Sequence, residues 1–172
     1  AHLYPDAHKI VWPWIHENGG CREVISWEPF EAHVHAGMGR SEIMERFPTF
    51  TVSEEITEEG WYLQPKVESE SHQLYRAQYV VEYLEKEFGD TDETIAMVSH
   101  GGFHQNFLHA VMRILPKPNI WLDSQNTAIT DLRFVNDAIF PSRGETKYWF
   151  IGPLNRHEWL TENGLLRDWS KK

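Results

Sequence analysis

Residues 94–106 read T-I-A-M-V-S-H-G-G-F-H-Q-N. An apolar run over residues 95–98 ends in Ser99-His100-Gly101-Gly102, and a helical pattern starts at once. Few folds suit such a run. A short apolar segment between Asp90-Thr91-Asp92 and a glycine pair predicts a strand at residues 95–99, buried on both faces as in a parallel sheet. Glycines let backbone N–H groups approach a ligand closely. The start of the next helix offers unpaired N–H groups and a partial positive charge, which favour an anion. His100 is placed to donate a hydrogen bond or move a proton. These residues predict an anion pocket with His100 in its wall; the plainer alternative is a helix-start turn beside a core histidine.

The rest of the chain supplies the partners of that strand–turn–helix. Residues 1–40, with Pro5, Pro13, Gly19, Gly20, Pro29, Gly37 and Gly39, read as irregular, apart from a short strand at 10–12 stopped by Pro13. Ser41 reads as the N-cap of a short helix ending near Phe47, because Pro48 disfavours helix before it. Residues 49–67 read as loop with a helical turn near 54–58. Residues 69–88 form the clearest helix, with Leu74, Ala77, Val81, Leu84 and Phe88 on one face and Gly89 as its stop. Residues 103–115 read as the next helix. Strands are expected at 128–135 and 147–151, paired as a long-looped hairpin, and one helical turn in the tail from 155. This alternation predicts an α/β domain, a three-layer αβα sandwich around a mixed, mostly parallel sheet, with residues 1–172 as a single domain.

Composition excludes several functions. Sixteen basic against 26 acidic residues give a net charge of −10, which argues against nucleic acid as a partner. One positive pocket inside an acidic protein still suits a small anionic substrate. Cys21 is the only cysteine, so no intrachain disulfide or zinc-ribbon spacing exists, which fits a reducing compartment and an expected cytoplasmic location. No apolar run approaches the ~20 residues of a membrane span, so no membrane partner is expected. His33-x-His35 lacks a third ligand at diagnostic spacing, and His104 and His109 are five apart rather than four. No metal and no cofactor are expected.

Val98-Ser99-His100-Gly101-Gly102-Phe103 resembles the second histidine motif of the histidine phosphatase superfamily, the phosphoglycerate mutase-like proteins. Further pieces follow in that family's order. Trp14-Ile15-His16-Glu17-Asn18-Gly19-Gly20 resembles the segment carrying the acidic catalytic residue. Gly39-Arg40-Ser41, Phe47-Pro48 and Glu59-Gly60-Trp61 resemble the segment over the active site. Glu68-Ser69 with Arg76-Ala77 resembles the start of a long helix, and Asn126-Thr127-Ala128-Ile129-Thr130 the strand after the second histidine.

The resemblance implies phosphomonoester hydrolysis through a phosphohistidine intermediate. Glu17 would be the general acid and base, and His100 would stabilise charge on the transferring phosphoryl group. Gly101, Gly102 and Asn126 would bind phosphate, while Arg22, Arg40 and His104 are possible substrate contacts. Glu68, Ser69 and Arg76 read as structural, and Trp27, Trp61 and Trp121 as an apolar wall or as core. The family's nucleophile lies in an Arg-His-Gly triplet at the end of its first strand, and these 172 residues contain none. The expectation is an N-terminally incomplete domain whose first strand is absent from this chain, with another chain or an upstream segment completing the sheet. This chain alone would then be inactive.

Three other functions compete. Phosphoglycerate mutase activity needs extra basic groups, in which residues 10–40 are poor. A lipase-like α/β hydrolase also uses His-Gly-Gly but needs G-x-S-x-G, which does not occur. A non-catalytic domain that binds a phosphorylated ligand or a partner protein is the main alternative.

Overall fold

The computed structural model of the chain describes residues 4–114, 120–122, 124–136 and 147–166. The chain divides into two compact units, Ala1–Ala77 with Val98–Phe103, and Gln78–Met97 with His104–Lys172.

In the first unit, β1 (Ile10–Val11) pairs in parallel with β4 (Thr51–Val52), Ile10 opposite Thr51. Pro13, with its fixed φ, turns the chain from β1 into a 3-10 turn, Pro13–Ile15, that delivers His16 and Glu17. The expected irregularity of residues 1–40 does not hold. β2 (Arg22–Trp27) and β3 (Phe30–Val34) form an antiparallel hairpin, with Trp27 opposite Phe30 across Glu28-Pro29. Alternate residues Arg22, Val24 and Ser26 turn inward while Glu23, Ile25 and Trp27 are exposed. Polar residues on both faces and a turn without Asn-Gly or Asp-Gly hide this hairpin in the sequence.

Helix α1 (Arg40–Arg46) starts one residue before Ser41, with Gly39 at its N-cap. The capping acceptor comes from elsewhere in the chain: Glu58 takes the Ser41 N–H at 3.2 Å and the Ser41 hydroxyl at 2.9 Å. Ile43, Val52 and Ile56 form the buried cluster, with Val11, Met38 and Trp61 packed on it. Residues 54–58 hold a turn and the bridge Thr57–Gly60 in place of the expected helical turn.

Helix α2 (Glu70–Phe88) matches the sequence reading closely. Ser69 Oγ accepts the His72 N–H at 3.4 Å, as an N-cap should. Its inward face carries Ala77 and Val81, as expected, with Arg76 and Val80 beside them. The expected strand at 95–99 is absent. Residues 92–100 carry no ladder, and Val98 is 88% exposed. A strand exists only through the backbone groups of a neighbour, and no described strand pairs with this run. Helix α3 (Gly101–Val111) begins directly at Gly101 rather than at Phe103, and it ends at Val111, short of the expected end at 115, with residues 112–114 turning out of the helix and Arg113 at a φ of +54°.

In the second unit, β5 (Leu132–Asn136) and β6 (Lys147–Ile151) pair antiparallel, Phe134 opposite Trp149, as the hairpin expected. Residues 137–146 of its loop lie outside the described residues. The tail supplies α4 (Glu158–Glu162). Phe107, Leu108, Val111 and Leu160 are buried here. Helices and small sheets together give the α/β class. Among the described residues no helix is long and apolar enough to cross a membrane.

Candidate functional site

Glu17 and the His100-Gly101-Gly102 turn, some 85 residues apart in sequence, meet in the first unit. The Glu17 carboxylate accepts the Phe103 N–H at 3.2 Å and the Gly102 N–H at 3.4 Å, besides the Asn18 N–H at 2.7 Å. These are the second and third residues of α3, whose N–H groups have no partner within the helix. His100 stands at the N-cap position, where serine or aspartate would normally accept such N–H groups. Glu17 takes over that acceptor role, and the His100 side chain is left exposed.

The approach depends on Gly102. A Cβ there would lie 2.5 Å from Glu17 Oε1 and 2.9 Å from Asn18 Nδ2. At Gly101, by contrast, a Cβ would have nothing within 4 Å. Open space beside Gly101, next to an exposed imidazole, suits a small anion. Ser99 also binds this turn to the Glu17 segment through its hydroxyl, which donates to the Ile15 carbonyl.

A buried ion pair holds Glu17 in place. Glu68 and Arg76 side chains are almost fully buried. They pair in fork geometry, Nε to Oε1 and Nη2 to Oε2, both at 2.9 Å. Arg76 Nη1 donates to the carbonyls of Trp14 at 2.9 Å and His16 at 2.8 Å. Glu68 Oε2 accepts the Gly19 N–H at 3.2 Å. The turn carrying Glu17 is thus gripped on both sides. The Arg76 guanidinium also lies 4.9 Å from the Phe103 ring centroid, which ties the clamp to the start of α3. Burial pushes the Glu68 carboxyl up, but the Arg76 and His72 contacts outweigh it, leaving Glu68 below its ordinary range. Glu68 and Arg76 are structural, as expected, and what they position is the candidate acid.

His16 is the residue that sequence reasoning passed over. Its ring packs 5.2 Å from Trp61 and 5.7 Å from Tyr62, and its Nδ1 lies 2.6 Å from the Glu17 carbonyl oxygen. A carbonyl only accepts, so Nδ1 carries the proton. Burial, followed by the charge of Arg76, lowers the His16 pKa below 6.5. Its position next to Glu17 was visible in sequence; the aromatic pair some 45 residues on was not.

The two candidate arginines differ. Arg40 donates to the carbonyls of Ser53 at 2.8 Å and Val52 at 3.1 Å, which joins α1 to β4. Arg22 lies 5.7 Å from the Phe30 ring and covers Gly19, whose φ of +90° and missing Cβ leave room for its guanidinium.

His104 and Asn126 belong to the second unit. His104 Nε2 lies 3.0 Å from Thr130 Oγ1, and burial lowers its pKa. Asn126 is exposed in a turn. Trp27 and Trp121 are also exposed, whereas Trp61 packs on the first unit's core. Among the described residues no group of three or more His, Cys, Asp or Glu side chains is arranged to hold a metal ion.

Residues 29–142, more than half of the chain, match the family described as histidine phosphatase superfamily (branch 1). The matched region includes Glu68, Arg76, His100 and Asn126, while Glu17 lies upstream of it. No curated protein and no solved structure matched the chain. The family match and the mixed helices and small sheets agree, and the chain belongs to the histidine phosphatase superfamily.

Proposed function

We propose that this chain supplies the acid–base group and the second histidine of a phosphomonoester hydrolase that works through phosphohistidine. The observation that carries the reading is the meeting of Glu17 with the His100-Gly101-Gly102 turn. A phosphate beside Gly101 would take hydrogen bonds from the Gly101 N–H and from His100, at oxygens where charge grows in the transition state. Glu17 would give its proton to the departing alkoxide as the P–O bond breaks, then accept one from the water that attacks phosphohistidine. Substrate entry must loosen the Glu17 contacts to Gly102 and Phe103 for this to occur. No Arg-His-Gly occurs within these 172 residues, so the proposal takes the attacking histidine from elsewhere. Another chain or a further segment is the proposed source.

Mutase activity is less well supported, since Arg40 is engaged by backbone carbonyls and does not offer a second anion site. The non-catalytic alternative, binding of a phosphorylated ligand, separates cleanly by assay. The full-length gene product should hydrolyse 4-nitrophenyl phosphate, and the 172-residue chain alone should not. Inorganic phosphate binding by both, with hydrolysis by neither, would favour the binding domain.

A further inference from the structure

We infer that His16 is a positioning residue for Glu17, acting through the single peptide group that joins Glu17 to Asn18. This rests on the phosphomonoesterase reading above. That peptide group is held at both ends. Its carbonyl oxygen accepts the His16 Nδ1–H at 2.6 Å, and its N–H, which belongs to Asn18, donates to Glu17 Oε1 at 2.7 Å.

A trans peptide is planar, so its C=O and N–H point in opposite directions and turn together. Fixing the carbonyl therefore fixes the direction from which the Asn18 N–H meets the carboxylate. A donor on the carbonyl also polarises the group and strengthens the N–H at its other end. The Gly20 N–H reaches the same carbonyl at 3.3 Å and closes the turn, but the imidazole is the shorter contact. The imidazole is itself held in place. Its ring packs against Trp61 and Tyr62, and Arg76 Nη1 grips the His16 carbonyl at 2.8 Å. The carboxylate contacts to Gly102 and Phe103 cross to α3 and must loosen when substrate enters. The Asn18 contact lies inside the turn that carries Glu17 and has no such need. It is the contact that keeps the carboxyl aimed once the others open, and His16 sets it.

The test has two arms. The first follows the 172-residue chain by NMR. The imidazole nitrogen shifts of His16 should report the Nδ1–H tautomer in the wild-type chain; the Nε2–H tautomer overturns the inference, whether or not any variant folds. The Asn18 amide is then compared in His16→Leu and His16→Asn. Both variants give up the ring packing, but the Asn side-chain amide hangs from Cγ as Nδ1 does and keeps the donor. The Asn18 amide proton should move upfield in His16→Leu and return most of the way in His16→Asn; equal positions in the two variants overturn the inference. The second arm measures hydrolysis of 4-nitrophenyl phosphate by the full-length gene product. His16→Leu should lower kcat by about 10²-fold with KM unchanged, as for a misplaced catalytic group, and His16→Asn should restore most of that loss. Equal losses in both variants, or a change in KM alone, overturn the positioning role, because lost packing is common to the two. If Asn18 responds as expected but the wild-type gene product hydrolyses nothing, the phosphomonoesterase reading has failed and the role given to His16 falls with it.

Discussion

Gly102 and Glu17 are in direct contact: the Gly102 N–H points at the Glu17 carboxylate at 3.4 Å, and a Cβ on Gly102 would come within 2.5 Å of Oε1. The first turn of α3 is therefore built around a side chain from a distant loop. Gly102→Ala must push Glu17 and Asn18 aside, and both are the far ends of flexible side chains. Stability should change by no more than about 1 kcal/mol, while hydrolysis by the full-length gene product should fall by about 10² or more, as for loss of a general acid. Thermal melts and 4-nitrophenyl phosphate turnover measured on the same preparation check this. Full activity in Gly102→Ala would show that the Glu17 position is irrelevant.

The Glu68–Arg76 pair makes a separate prediction. Removing either partner leaves the other buried and unpaired, so Arg76→Met and Glu68→Leu should each lower stability by about 3–5 kcal/mol. The double variant should lose much less than the sum, because both charges then disappear together. It should not recover fully, since Trp14 and His16 carbonyls and the Gly19 N–H lose their partner. Urea denaturation of the three variants measures this, and simple additivity would contradict the pairing.

Stability should depend on pH in one direction. His16 and His104 both have folded pKa values below 6.5, through burial and, for His16, the Arg76 charge. As pH falls through about 6.5 the unfolded chain takes up protons first, so stability is lost. Glu68, held below its ordinary range, adds a further loss at lower pH, as its carboxylate is protonated. The melting temperature should be flat above about pH 7 and fall steadily toward acid. His16→Gln should flatten the first part of that fall; an unchanged profile would contradict the buried neutral imidazole.

Much of this was legible in the sequence because it is local. The periodic face of α2 and its Ser69 cap are written within 20 consecutive residues, and the β5–β6 hairpin follows from two apolar runs. The helix after His100-Gly101-Gly102 was legible, but its true start was not, because its capping acceptor is Glu17. Glu58 caps α1 in the same nonlocal way, which is why the N-cap lies at Gly39, two positions before the expected Ser41. The strand at 95–99 failed for the opposite reason: apolar residues in a row invite a sheet only where a neighbour supplies backbone partners. The site residues came from resemblance, and packing explains them: Glu68 and Arg76 matter because they grip the turn that carries Glu17.

The most direct test of the account replaces the two groups it brings together. His100 is exposed, so His100→Ala should leave stability within about 0.5 kcal/mol of wild type. The isosteric Glu17→Gln keeps a carbonyl acceptor for the helix start but cannot exchange a proton. Hydrolysis of 4-nitrophenyl phosphate by the full-length gene product should fall about 10²–10³-fold in His100→Ala and about 10²–10⁴-fold in Glu17→Gln. Both variants should remain folded. Wild-type rates in folded His100→Ala and Glu17→Gln would contradict the assignment of this site.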